Sequence, residues 1–306
     1  MPPELNDFTD QFVTLTPNQW LGIPVALIGA VFLALGAQLQ HRGVSKVEHT
    51  SEDGAPPGLS LKQLLLLLAH PSWVVGTLML GLAVILQLTS LYLSPIIVVQ
   101  PLGAIALVIT AIVNARISGV KLDAPSIRAI AFCVGGVGLF VTVAAFTAKS
   151  SPINAAQLGV ILALLGVVTM GFSLAFAFLR DRFKAIAFIL GAGVLYGFVA
   201  TLAKVVIDRA KTGDFEWLTI TCIVALLAAA ALGGYFVQNA YSSGPPDLVI
   251  AGLTVVDPLV AVTIGIVVLQ ETSGAPWYAA IAYIAAGALA VYGVLQLAKH
   301  HPQARH

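Results

Sequence analysis

Residues 247–270 read DLVIAGLTVVDPLVAVTIGIVVLQ, a run whose only charged members are Asp247 and Asp257. A bilayer core about 30 Å thick is crossed by roughly 20 helical residues rising about 1.5 Å each. The run is therefore long enough to cross a membrane and apolar enough to stay there. Eight further stretches share this character: 20–40, 72–93, 95–117, 127–147, 156–179, 184–207, 217–238 and 277–298. The segment 61–69 is apolar but too short to cross. His70 and Pro71 end it, so it reads as an interfacial helix leading into the second span. The predicted fold class is all-α: a polytopic integral membrane protein with about nine transmembrane helices.

Composition agrees. The 306 residues are 58% hydrophobic and 9% charged, with a mean hydropathy of +0.95. A soluble domain carries about 25% charged residues to face water, so most of this surface must face lipid. The net charge of +1 gives no support for nucleic-acid binding. The longest loop, Gln40 to Ser60, holds the turn-prone stretch Ser51 to Gly58 and reads as a polar connector. No segment has room for a nucleotide-binding domain and no phosphate-cradling loop is present, which excludes an unaided ATP-driven pump. Residues 1–19 carry Glu4, Asp7 and Asp10 without Lys or Arg. They lack the basic start of a secretory signal and read as a short extracytoplasmic tail. Cys133 and Cys222 both fall in apolar runs and serve most simply as small apolar residues.

Basic residues orient the spans. With the N-terminus outside and the C-terminus inside, the cytoplasmic segments hold Arg42, Lys46, Lys62, Arg116, Lys121, Arg128, Arg180, Arg182, Lys184, Lys299 and Arg305. The opposite side holds Lys149, Arg209 and Lys211, together with Lys204, which is expected to snorkel from its span to the interface. The setting this implies is the cytoplasmic membrane. Helix association in lipid relies on small residues, and Gly135, Gly136 and Gly138, Gly191, Gly193 and Gly197, and Gly233 and Gly234 offer close-approach surfaces.

Polar groups inside spans carry the functional information. An Asp at a helix centre costs about 2.5–3.5 kcal/mol on insertion scales, so it is rarely there without a partner or a task. Asp257 lies near the middle of its span and precedes Pro258, which lacks an N–H and frees a carbonyl near Thr254. A carboxylate beside a loosened turn suits a cation or a proton. Gln100-Pro101 in the third span is a second polar-proline pair, each pair following a link with its own proline, Pro95 or Pro245-Pro246. Interrupted helices at corresponding places in two halves point to a transporter's binding site. Gln87 and Tyr196 also fall in spans and join the candidate pathway, where the competing account is hydrogen bonding between helices. For Asp257 the competing account is an inert, protonated structural partner.

Catalytic signals are poor. The histidines, His41, His49, His70, His300, His301 and His306, are mostly terminal or in loops. None pairs with a carboxylate at helical spacing within a span, and Lys299-His300-His301 reads as a solvated helix end. No catalytic residue, metal site or cofactor is expected.

Leu93-Ser94-Pro95 through Pro101-Leu102-Gly103-Ala104, closing in Asn114-Ala115-Arg116, resembles the drug/metabolite transporter superfamily (the EamA-like proteins), and within it the NIPA-like, magnesium-transporter-related branch. Tyr235 through Pro246, followed by a span closing in Glu271, carries the same resemblance, which runs from about residue 20 to residue 298. The resemblance implies two inverted halves of four and five spans around a central cavity. On the spans read above, the first half is 20–147 (with loop 41–60 and interfacial helix 61–69) and the second half 156–298, followed by a cytoplasmic tail at 299–306. Where the branch carries Gly-Glu in the second span, this chain has Gly81-Leu82, so the acid implied for a cation there is absent. The superfamily's first-half Glu is replaced near Ser118-Gly119, and Glu271 is kept at a helix end where solvation alone would account for it.

The function expected is a secondary transporter or permease for a small metabolite or drug-like solute, coupled to protons or run by exchange. Asp257 titrates or binds, Gln100, Gln87 and Tyr196 line the pathway, and Pro101 and Pro258 shape the broken helices. Two alternatives stand beside it: a divalent-cation (magnesium) transporter, and a membrane-embedded partner or lipid-carrier-handling protein in envelope synthesis. The partners expected are membrane lipids and a small solute or cation, with a homodimer left open beside a monomer.

Overall fold

A computed structural model describes residues 15–48, 70–117, 123–149, 152–179, 185–213, 216–243 and 246–299. The tail before residue 15, the 49–60 part of the connector, the interfacial helix at 61–69 and the tail beyond 299 lie outside them. Among the described residues there are helices and no strands. Nine of the described helices are long and apolar enough to cross a membrane. They are α1 (Pro17–Gln40), α2 (Pro71–Leu93), α3 (Ile96–Val113), α4 (Ala124–Thr147), α5 (Ala155–Phe176), α6 (Ala185–Thr212), α7 (Trp217–Ala240), α8 (Leu248–Val267) and α9 (Trp277–Leu297). The chain is a multi-pass membrane protein. Large apolar side chains cover its outside, with Leu78 at 68%, Val167 at 65% and Ile284 at 73% exposure, a surface that lipid accommodates and water does not. Trp20, Trp217 and Trp277 start α1, α7 and α9 at the same end of the bundle, where amphipathic rings sit at headgroup level.

Local chemistry sets the helix ends. Pro71 and Pro125 occupy first-turn positions, where a missing N–H costs nothing. Asp123 caps α4 by accepting from the Ser126 N–H at 3.0 Å. Between α2 and α3 the chain breaks at Ser94-Pro95 and restarts at once. α3 is itself interrupted: an α-turn at Ile96–Val99 gives way to a 3₁₀ turn at Gln100–Gly103, then to α-helix at Ala104–Ile117. The expected irregularity at Gln100-Pro101 is therefore present. That expected at Asp257-Pro258 is not, since helix continues from Pro246 to Val267 with Pro258 inside it. A helix tolerates proline where neighbouring groups and small adjustments absorb the lost bond.

Glycines decide which helices touch. A Cβ on Gly76 of α2 would lie 2.6 Å from the Gln40 nitrogen of α1. One on Gly193 or Gly197 of α6 would lie 2.6 Å from the Cβ of Val256 or Val260 of α8, and one on Gly191 would lie 2.6 Å from the Phe236 ring of α7. Gly136 and Gly293 bring α4 and α9 backbone to backbone against Ala290 and Cys133. Gly135 and Gly138 face open space, so only one of the three α4 glycines expected to pack does so. Gly233 packs on the Tyr196 ring. Cys133 and Cys222 are free and buried.

Candidate functional site

α1, α2, α3, α6 and α8 line a partly open cavity of about 660 Å³. Gln87 of α2, Gln100 of α3, Tyr196 of α6, and Thr254, Asp257 and Pro258 of α8 all reach it. Five of the six residues singled out from the sequence thus converge on one space. Pro101 lines instead a smaller, almost wholly apolar cavity of about 60 Å³ between α3, α4, α8 and α9, which shares Thr254 and Pro258 with the larger one. The Pro258 turn is the wall between the two.

The 3₁₀ turn positions Gln100. Tightening the helix there re-aims its side chain, which is 6% exposed and forms part of the cavity wall. Asp257 enters from the opposite half of the chain. Its Oδ1 is buried and has no hydrogen-bond partner, an arrangement that costs about 1–3 kcal/mol per unsatisfied group. Thr254 sits one turn earlier, but its hydroxyl donates to the Ile250 carbonyl at 2.8 Å and not to the carboxylate. Tyr196 lines the same cavity from α6. The rest of the wall is apolar, built by residues such as Ala26, Ala30, Leu33, Ala83, Val84, Leu88, Val199 and Ala203. The space is thus a hydrophobic chamber with one acid, two amides, one phenol and one hydroxyl. Such a chamber suits a ligand with an apolar body and one or two polar or charged groups. Among the described residues no three of His, Cys, Asp and Glu gather as a metal site.

Two charged residues behave differently from expectation. Lys204 does not snorkel: it is 2% exposed, and its Nζ donates to the carbonyls of Leu91 at 2.7 Å and Ser94 at 3.0 Å. Its ionic partner is Asp208 at 3.4 Å, on the next turn of α6. Glu271 is not solvated at a helix end: it is 3% exposed, and its two carboxylate oxygens accept the N–H groups of Ile96 and Ile97, each at 2.8 Å. Burial pushes its carboxyl up to about 7, against the two N–H donors and Lys204, which favour the ionised form. Each charge suits the helix end it meets, a cation at the C-terminus of α2 and an anion at the N-terminus of α3. The sequence held one clue to Lys204, an ionisable group well inside an apolar run, but nothing that named its partners. Lys211 also reaches across, donating to the Tyr92 carbonyl with its ammonium 4.0 Å from the Tyr92 ring centroid.

An uncharacterized protein of Corynebacterium glutamicum is similar to this chain, with 27% identity over 258 residues that cover 82% of the chain and 85% of the relative. No family model matches the sequence, and no solved structure matches it.

Proposed function

We propose that this protein is a secondary transporter that moves a small metabolite or drug-like solute across the cytoplasmic membrane, with Asp257 as the coupling and binding group. The observation that carries the reading is the unpartnered Asp257 oxygen in a chamber that Gln100, Gln87 and Tyr196 also reach. A carboxylate without a partner among helices gains most when a cationic solute or a proton arrives. Coupling follows if the two compete for it.

The architecture supports two inverted halves, the pattern implied by the drug/metabolite transporter resemblance. α1 to α4 correspond in order to α6 to α9, with α5 between them. Helices five spans apart run in opposite directions, so the repeat is inverted. α1 packs on α2 and α3 as α6 packs on α7 and α8, and α4 pairs with α9 across the join. Gln100 of α3 and Asp257 of α8 then hold related places. The bias of Lys and Arg puts the N-terminus outside and the C-terminus in the cytoplasm.

The test uses proteoliposomes containing a pH-sensitive dye. Adding a transported solute is expected to move protons in the wild-type protein and not in Asp257→Asn. Full proton-coupled flux in Asp257→Asn would remove the coupling role. A magnesium-sensitive dye in the same vesicles separates the divalent-cation reading, for which one chamber carboxylate is a thin ligand set.

One observation favours a second reading, the handling of a lipid carrier. Leu33, Val84 and Leu88 line the chamber and stay exposed at 43%, 58% and 40%, so the chamber wall is not sealed by packing there. A chamber open sideways between helices admits an acyl or isoprenoid chain from the bilayer. Transfer of a fluorescent long-chain lipid between leaflets, without proton movement, would favour it.

A further inference from the structure

We infer that Lys204 and Glu271 form a latch that closes the chamber at the end of the bundle where α2 and α3 meet. The inference deepens the transport reading and rests on it, because a latch matters only if the chamber must open.

The Ser94-Pro95 break leaves the last carbonyls of α2 and the first N–H groups of α3 without partners in their own helices. Two buried charges from the other half of the chain supply those partners. Lys204 takes the carbonyls of Leu91 and Ser94, and Glu271 takes the N–H groups of Ile96 and Ile97. The break is thus held from both sides by groups that do not belong to its half. Nothing about a simple turn requires this. A solvated turn would use water, and an apolar one would have been left to packing.

The Lys204 contacts lie against the chamber, and those of Glu271 hold the other side of the same break. Leu91, which gives Lys204 a carbonyl, lines the chamber, as does Ala203 next to Lys204. Glu271 is braced from behind. Gln270 turns the chain at a left-handed φ of 57, the Glu271 N–H donates to the Gly265 carbonyl at 3.0 Å, and its own carbonyl accepts from the Lys149 N–H at 2.6 Å. Gly265 leaves room for the carboxylate, since a Cβ there would lie 3.1 Å from Oε2. Movement of α3 relative to α8 must therefore pull Ile96 off a fixed acceptor.

Polar contacts suit a seal that opens repeatedly. When the two halves part, water takes the place of Lys204 and Glu271 on the freed backbone groups, and of the backbone on the two charges. The open arrangement then leaves no group stranded, so the closed and open states stay close in free energy. A purely apolar seal has no such compensation. Asp208 stays with Lys204 on α6 in either state, 3.4 Å away as an i,i+4 neighbour.

The experiment labels a cysteine placed in the chamber, Ala200→Cys on α6, with a membrane-impermeant thiol reagent. The full-length protein sits in sealed vesicles of known sidedness, and Cys133 and Cys222 give a low background because they are buried. In the reporter protein, labelling from the side where α2 and α3 meet is expected to be slow. Lys204→Met should raise that rate at least tenfold, Lys204→Arg should keep it within about threefold of the reporter, and labelling from the other side should not rise. If Lys204→Met does not yield monodisperse protein, Glu271→Gln decides: it keeps the side chain's size and sets an NH₂ against the donors, and should raise the rate several-fold. An unchanged rate, or one raised equally from both sides, overturns the latch, since loosened packing alone would do the latter. The reporter needs no solute. A latch that opens in a protein moving no solute therefore sinks the transport reading alone, and unchanged labelling in a protein that does transport sinks only the latch.

Discussion

The carboxylate of Glu271 sits 2.8 Å from the Ile96 N–H, a contact between residues 175 positions apart that starts α3 where the preceding helix has just stopped. Removing it leaves two buried donors without an acceptor, each costing about 1–3 kcal/mol. Glu271→Ala is expected to lower the thermal midpoint in detergent, with Glu271→Gln between it and the wild type. A midpoint unchanged in Glu271→Ala would mean that water already serves Ile96 and Ile97.

The same residue makes stability depend on pH. Burial raises the Glu271 carboxyl from 4.5 to about 7, so the folded protein holds this proton more tightly than the unfolded chain. For a raised acid the stabilising contribution is whole below the unfolded value and fades as pH rises through the folded one. Thermal midpoints should therefore fall between about pH 5 and about pH 8, and the fall should be shallower in Glu271→Gln. Equal slopes in the two proteins would show that other groups set the trend.

Gln270 is the described non-glycine residue with a positive φ, at 57. A left-handed L-residue costs about 1–2 kcal/mol, and most of that is regained by glycine at some cost in chain entropy. Gln270→Gly is expected to be neutral or to stabilise by up to about 1 kcal/mol, whereas Gln270→Val should destabilise by more than about 1 kcal/mol. A valine variant as stable as the wild type would refute the strained turn.

Two glycines on neighbouring helices should behave in opposite ways. Gly293 of α9 lies against the backbone of Cys133, whereas Gly138 of α4 meets nothing within 4 Å. Gly293→Val must push α4 and α9 apart and should cost about 1–3 kcal/mol or prevent assembly. Gly138→Ala should be neutral or slightly stabilising, because alanine is about 1 kcal/mol better in a helix. Denaturation of both in the same detergent is the check, and similar losses in the two would count against the packing described.

Asp257 should trade stability for activity. Its buried oxygen has no hydrogen-bond partner, which costs stability. Asp257→Asn should therefore abolish proton-coupled flux while leaving the thermal midpoint equal to or above that of the wild type. A large loss of stability would instead mark Asp257 as a structural partner.

The membrane class, the nine spans and the presence of Asp257 in the middle of one of them were legible without coordinates. Length and apolarity are local properties, and lipid requires each span to satisfy its own backbone. The irregular turn at Gln100-Pro101 was legible for the same reason, because proline acts on its own helix. The unbroken passage of helix through Pro258 was not, since neighbouring helices decide whether a proline is absorbed. Nor were Lys204 and Glu271, which looked like helix-end charges and proved to be the caps of a break in the other half of the chain. Which glycines touch, and which polar residues share a chamber, depend on how rigid helices rotate and pair. That rotation is set by contacts between residues far apart in sequence, so only the tertiary structure could assign them.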